Sequence, residues 1–128
     1  MSVRSQPCSS CPYRQDVPSG VWSFDEYEKL RDYDNETFDQ PFAVFACHAT
    51  PEHLCHGWAV VHTNRGNEYD LIALRIWPPS GGVPEAAVAL FESGNDAADH
   101  GQAAIDDPDP AAIATQRRLM KKYPRLRT

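Results

Sequence analysis

The sequence predicts a small α+β protein that is mostly helical and folds as a single domain. Its 128 residues are about one domain's worth of chain. Several segments begin with helix-capping residues, while one short apolar run, 41–47, has the Phe and Val content of a buried strand. Within the single domain 1–128, we expect an N-terminal arm at 1–20, a core at 21–116 and a basic C-terminal helix end at 117–128.

The first helix is predicted from its start signal. In the segment SFDEYEKLRDY, Ser23 is a favourable N-cap residue and Glu26 follows three residues later. This spacing is that of a capping box, in which the two side chains satisfy the first free backbone N–H groups. The apolar side of this helix is expected to consist of Phe24, Tyr27 and Leu30.

The second helix is predicted to start in the segment TPEHLCHGWAVVH. Thr50 is the expected cap, and Pro51 suits the first helical position because it has no N–H to leave unpaired. The residues expected to face the core follow a helical spacing and are Leu54, Trp58 and Val61.

The remaining segments are separated by prolines and glycines. Residues 69–77 and 84–93 each suit either a strand or a helix, while 95–105 favours a short helix. The last helix has the clearest start, with Asp109 as its cap and Pro110 at its first position.

The N-terminal sequence MSVRSQPC has no apolar segment of the kind that a signal peptide contains. No apolar run approaches the roughly 20 residues that a transmembrane helix needs. We therefore expect a cytoplasmic protein that does not contact membranes. Because the cytoplasm is reducing, its clustered cysteines are expected to bind metal or perform redox chemistry rather than form lasting disulfides.

The four cysteines are the main candidate site. They follow the pattern C-x2-C, a gap of 35 residues, and C-x7-C. The first pair can place two sulfurs on one ion in a tight turn, and the start of a helix stabilises an anionic sulfur in the second pair. The sequence therefore predicts a metal centre that holds the arm, with these ligands: Cys8, Cys11, Cys47 and Cys55.

The identity of the metal is left open by the spacing. Structural zinc is the common partner of four cysteines in intracellular proteins, and it is the leading interpretation. A [4Fe–4S] cluster is the alternative, because such clusters accept the wider spacing of the second pair. A redox C-x2-C pair and four buried free thiols are two further interpretations, both less favoured.

Four other side chains are candidates for a supporting role. His48 and His56 each follow a cysteine, so either could replace a thiolate or donate a hydrogen bond to sulfur. Arg14 could offset the negative charge of the thiolates. His100 is the remaining candidate, although packing or capping is its more favoured role.

The C-terminal twelve residues carry six basic side chains and no acidic one, whereas the rest of the chain carries all eighteen acidic residues. Contact with nucleic acid or an acidic partner is therefore conceivable, but favourable interaction with the helix dipole is the preferred explanation. The basic residues are Arg117, Arg118, Lys121, Lys122, Arg125 and Arg127.

The sequence contains no Ser-His-Asp spacing, phosphate-binding loop or H-E-x-x-H motif. Four cysteines normally fill the coordination sphere of zinc and leave no open position for catalysis. We therefore expect a binding or regulatory module that acts on an unidentified macromolecule rather than an enzyme. The rival interpretation is an iron–sulfur protein with a redox-sensing or enzymatic role, in which His48, His56 or His100 does chemistry.

The strings CSSCPYR, FACH, CHGW and LFESGNDAADHG together resemble an uncharacterised domain family of actinobacteria and their bacteriophages. The resemblance extends from about Pro7 to about Ile105. It implies an intracellular actinobacterial or phage protein and supplies no activity, metal or substrate. The positions that it emphasises are Cys8, Cys11, Arg14, Cys47, His48, Cys55, Trp58 and His100.

Overall fold

The protein is described here by a computed structural model that covers residues 2–63, 70–76, 78–79 and 81–123. Within these ranges the chain forms five α-helices, one 3-10 turn at Thr37–Asp39 and no sheet. The helices are α1 (Phe24–Asp32), α2 (His56–Thr63), α3 (Ile72–Ile76), α4 (Gly94–Gln102) and α5 (Pro110–Lys122). The mostly helical prediction is confirmed, whereas the expected β component is reduced to isolated bridges.

The described helices are all short. None of them combines the length and the apolar composition that crossing a bilayer requires.

Local capping chemistry fixes two helix starts as predicted. The Ser23 hydroxyl accepts a hydrogen bond from the Glu26 N–H at the start of α1. The Asp109 carboxylate accepts one from the Ala112 N–H at the start of α5. Phe24 is the exception on α1, since 53% of it is exposed while Tyr27 and Leu30 are buried.

Helices α1 and α4 pack closely because two glycines of α4 face α1. A Cβ on Gly101 would overlap the ring of Tyr27, and one on Gly94 would overlap the backbone carbonyl of Leu30. The Asp34 carboxylate, just after α1, accepts hydrogen bonds from the Gly94 and Asn95 N–H groups. The glycines thus permit the approach, and Asp34 satisfies the free N–H groups that begin α4.

The N-terminal arm is part of the core. Val3 pairs with Leu54 and Arg14 pairs with Leu90 in isolated bridges. Near the end of the arm, the Gly20 N–H donates to the Gly101 carbonyl at 2.8 Å, with Gly20 at φ 83°. Each bridge joins the arm to a different later segment, so the arm links the two ends of the fold.

The strand predicted at 41–47 is not formed. Only Ala46 bridges, to Leu54, and Phe42 and Val44 are 78% and 40% exposed. The chain turns directly after Cys47, where the His53 N–H donates back to the Thr50 carbonyl. Because this turn follows at once, there is room for one bridge rather than a ladder.

The predicted start of the second helix at Thr50 is also wrong, since α2 begins at His56. Thr50 does not cap a helix; its hydroxyl accepts from Arg4 and its side chain also hydrogen-bonds the sulfur of Cys47. The core-facing residues of this segment were nevertheless predicted correctly. Leu54, Trp58 and Val61 are all buried.

The two segments for which the sequence suits either a strand or a helix differ in the structure. Ile72–Ile76 is a short helix, while 84–93 forms neither helix nor strand beyond the bridge at Leu90. Two of the predicted basic residues, Arg125 and Arg127, lie outside the described residues.

Candidate metal centre

The fold brings the four cysteines together from three segments of the chain. The sulfurs of Cys11 and Cys55 lie 3.9 Å apart, and the thiols of Cys8 and Cys47 hydrogen-bond each other. All four residues are buried, and none forms a disulfide. Each close pair joins one cysteine of the arm to one cysteine of the 47–55 segment, so the pairs cross between the two sequence motifs.

Backbone N–H groups donate hydrogen bonds to two of these sulfurs. The Tyr13 N–H donates to the sulfur of Cys11, and the N–H groups of Ala49 and Thr50 donate to that of Cys47. Such donors stabilise the thiolate relative to the thiol. Cys47 is therefore placed in a turn that favours anionic sulfur, the form that binds metal. At Cys11 the single N–H donor is outweighed by burial and by the hydrogen bond with Cys55.

Without a bound cation, the pKa values of the cysteines shift in opposite directions. The pKa of Cys47 falls to about 4, chiefly because the Cys8 thiol donates to its sulfur. The pKa of Cys8 rises, mainly through that same hydrogen bond, and the pKa of Cys11 rises through its hydrogen bond with Cys55 and through burial. Four buried sulfurs in contact cannot all ionise unless a positive charge joins them.

Gly57 makes the approach of the arm to α2 possible. A Cβ at this position would lie 2.7 Å from the Tyr13 Cβ and 2.9 Å from the Cys11 sulfur. Real Cβ atoms essentially never come so near to other heavy atoms. The glycine of the Cys-His-Gly-Trp step therefore leaves the space in which Cys11 meets Cys55.

In the described ranges, no three His, Cys, Asp or Glu side chains are already arranged around one point as metal ligands. The sulfurs instead lie as two close pairs. A four-cysteine site would form when the two pairs move onto a shared ion.

The two histidines that follow cysteines have hydrogen-bond partners away from the sulfurs. His48 Nε2 lies 2.7 Å from a carboxylate oxygen of Glu26, and its ring stacks on Trp22 at 4.3 Å between centroids. The ring of His56 is fully buried and its Nε2 donates to the Pro84 carbonyl at 2.6 Å. His56 Nδ1 is buried and has no hydrogen-bond partner among the described residues, and burial lowers the pKa of the ring.

Arg14 and His100 hold the arm. The Arg14 guanidinium forms two 2.7 Å bonds with Asp16 and also donates to the Cys8 carbonyl at 3.4 Å. His100 Nε2 donates to the Val17 carbonyl at 2.7 Å, and its ring packs against Phe91. Arg14 therefore lies beside the cysteines, whereas the contacts of His100 tie the arm to α4.

A buried polar chain behind the cysteines has no signal in the sequence. The Tyr13 hydroxyl lies 3.2 Å from His62 Nε2, and His62 Nδ1 lies 3.5 Å from the carboxylate of Asp34. All three side chains are almost completely buried. This chain of three side chains runs from the turn that holds Cys11 to the residues that begin α4.

The basic residues of α5 lie on its exposed side. No ion pair within the described part of the chain involves any of them, although Lys122 Nζ lies 5.5 Å from the centre of the Tyr123 ring. The described members of this group are Arg117, Arg118, Lys121 and Lys122.

No curated protein and no solved structure matches the chain. One family model does match it, over residues 3–118. The match includes all four cysteines and ends at Arg118, within α5. The resemblance noted in the sequence ends earlier, at about Ile105. The chain therefore belongs to DUF6283, a family of unknown function.

Proposed function

We propose that the protein binds one zinc ion through Cys8, Cys11, Cys47 and Cys55, and that the ion joins the N-terminal arm to the start of α2. The contact that supports this most directly is the 3.9 Å separation of the Cys11 and Cys55 sulfurs. Tetrahedral zinc with Zn–S bonds of about 2.3 Å holds its sulfurs about 3.8 Å apart. One of the two pairs thus already has the spacing that a mononuclear site requires.

The surroundings of the sulfurs support the same proposal. Backbone N–H donors at Cys11 and Cys47 stabilise thiolates, and the space left by Gly57 lets the arm approach α2. Four thiolates on a divalent ion carry a net charge of −2, and Arg14 lies close enough to offset part of it. Zinc of this kind is structural, because four protein ligands fill its coordination sphere.

In this proposal the protein is a cytoplasmic binding or regulatory module of an actinobacterium or its phage. The metal supplies rigidity to an end of the molecule that has little regular secondary structure. A partner macromolecule would then recognise the surface that the metal organises.

Elemental analysis of protein purified without added metal tests the proposal. We expect one zinc per chain and a colourless solution, with less than half of that zinc in Cys11→Ser. Ser9→Ala is the matched control, because Ser9 is exposed and lies in the same turn between Cys8 and Cys11. Wild-type protein that folds normally with no bound metal would refute the proposal.

An iron–sulfur protein with a redox-sensing or enzymatic role is the second candidate. The seven residues between Cys47 and Cys55 exceed the usual spacing of a zinc pair, which favours this alternative. It predicts that protein purified without oxygen is brown, with four irons per chain. Each cysteine of such a cluster binds a different iron, so the 3.9 Å sulfur pair would have to separate.

Nucleic-acid binding through the basic residues of α5 is the third candidate, supported by their exposure. It predicts affinity for duplex DNA that falls steeply as salt rises, because bound counterions are released. Replacing Arg117 and Arg118 with Gln should remove that affinity. If binding is unchanged in this variant, α5 is not the contact surface.

A further inference from the structure

A cleft of about 590 Å³ opens beside the cysteines and is lined on one wall by Cys47. Its other walls include Tyr33, Val44 and Pro51, and the His48–Glu26 pair closes one side. Cys8, Cys11 and Cys55 do not line it. Cys47 is therefore the cysteine that a small molecule in this cleft would contact.

Cys47 also has a partner placed to react with it. Its sulfur is in hydrogen-bond contact with that of Cys8, which lies 39 positions earlier in the chain. A low barrier to disulfide formation requires a second sulfur within reach of the first oxidised one. The Cys8 sulfur, as the hydrogen-bond partner of Cys47, is the group placed to meet that requirement.

We propose that Cys47 is a thiol-oxidation site for a small peroxide and that Cys8 resolves the oxidised form as a Cys8–Cys47 disulfide. The proposal deepens the proposed function, since oxidation would also release the zinc. The pairing of the two sulfurs does not itself depend on which metal is bound.

The chemistry balances with hydrogen peroxide as the oxidant. The Cys47 thiolate attacks one peroxide oxygen, the O–O bond breaks, and the departing hydroxide takes a proton to become water. The sulfur of Cys8 then attacks the resulting sulfenic acid, forming the S–S bond and releasing the second hydroxide, which is also protonated. Two sulfurs lose two electrons in total and peroxide gains them. A zinc ion held by the four cysteines would thereby lose two of its anionic ligands.

The burial of Cys47 restricts the oxidant. Only 3% of the residue is exposed, so a molecule as small as hydrogen peroxide can reach it through the cleft while a tripeptide disulfide cannot. Hydrogen peroxide is therefore expected to oxidise the folded protein, and oxidised glutathione at equal concentration is expected to leave it reduced.

The test treats folded wild-type protein with hydrogen peroxide, follows zinc release with a chromogenic chelator and maps disulfides by mass spectrometry. We expect one zinc released for each Cys8–Cys47 disulfide, formed before any other linkage. A first disulfide between Cys8 and Cys11, or between Cys47 and Cys55, would overturn the proposal. So would oxidation of Cys47 to the sulfinic acid with Cys8 still reduced.

Two matched variants test the route through the cleft. Val44 lines both this cleft and a neighbouring apolar one, whereas Ile76 lines only the neighbour. Val44→Trp should slow peroxide-driven zinc release several-fold, and Ile76→Trp should leave the rate unchanged. Equal rates in the two variants would show that peroxide does not enter by this cleft and would overturn the proposed access route.

The two proposals fail in different ways. If wild-type protein holds zinc but gives no Cys8–Cys47 disulfide, the zinc proposal stands and the oxidation proposal is refuted. If wild-type protein has no metal but still forms this disulfide before any other, the zinc proposal is refuted and the oxidation proposal stands.

Discussion

Two regions of this molecule are held together by different means. The helix pair, α1 with α4, has capped helix starts, interlocking glycines and a carboxylate that satisfies the first N–H groups of α4. The cysteine end, residues 7–14 with 45–58, has isolated bridges and turns around four sulfurs. The cysteine end is the more buried of the two, yet only the helix pair has the packing of regular elements.

The comparison indicates where a metal contributes most. Irregular backbone gains little from helix or ladder hydrogen bonds, so another interaction must offset the entropy lost on ordering it. Metal binding can supply that free energy directly to folding. The helix pair does not need such help, and the predictions below separate the two regions on this basis.

Removing the proposed zinc should have the largest effect, and it should be confined to the cysteine end. Structural zinc contributes about 10–16 kcal/mol in small zinc-binding peptides, more than the net stability of a typical domain. Treatment with a strong chelator should therefore expose amides of residues 8–14 and 45–58 to hydrogen exchange. Amides of α1 and α4 should keep more of their protection. Uniform loss of protection in both regions would remove the distinction.

Gly101→Val should lower the free energy of unfolding by disrupting the helix pair, and this is the second largest expected effect. The new side chain would collide with the ring of Tyr27, and overpacking of this kind costs about 1–3 kcal/mol, at times more. Chemical denaturation should show the loss, while zinc content stays at the wild-type value. Ala103→Ser, at an exposed position two residues later, is the control and should change neither quantity.

Gly57→Ala should disturb the cysteine end by a smaller amount. The added methyl group would press on Tyr13 and on the sulfur of Cys11, while alanine's higher helix propensity offsets about 1 kcal/mol of the cost. Zinc affinity should fall about tenfold in a competition titration, equivalent to about 1.4 kcal/mol. Thr63→Ala, at the other end of α2, should leave affinity unchanged; an equal loss there would point to the helix as a whole.

The smallest effect concerns Glu26, which joins the two regions by bonding His48. The hydrogen bond from His48, with help from Lys29, lowers the pKa of Glu26 to about 2. Because this pKa lies below the ordinary value of 4.5, the stabilisation is present above about pH 4.5 and is lost as pH falls towards 2. The side chain is part-exposed, so the contribution is at most about 1 kcal/mol. Glu26→Gln should flatten the pH dependence of unfolding in this window, and an unchanged profile would contradict this.

The sequence was most informative where structure depends on neighbouring residues. The caps at Ser23 and Asp109 were predictable, because each side chain bonds an N–H three residues ahead. Thr50 has the same local signal, yet no helix starts there. Its hydroxyl donates to the sulfur of Cys47 and accepts from Arg4. Sequence alone does not show that these distant partners will replace the backbone N–H that a cap would bind.

Long-range contacts account for most of what could not be predicted. The C-x2-C and C-x7-C motifs indicated four cysteines at one site, but not that each close pair would join one motif to the other. The chain of Tyr13, His62 and Asp34 joins residues 21 to 49 positions apart, and nothing in the local pattern of any of them indicates it. The Phe and Val content of 41–47 suggested a strand, but a strand also needs a partner, and that segment has a single bridge.

The crossed sulfur pairs have a consequence for how the protein is made. The arm leaves the ribosome first, but Cys8 and Cys11 meet their partners only after residues 47 and 55 have also emerged. Until then the nascent chain carries two unpaired thiols next to an exposed Tyr13, and the closing contacts span some forty residues, which slows folding relative to local pairing. Emergence of residues 47–55 is thus the event that allows the N-terminal arm to pack.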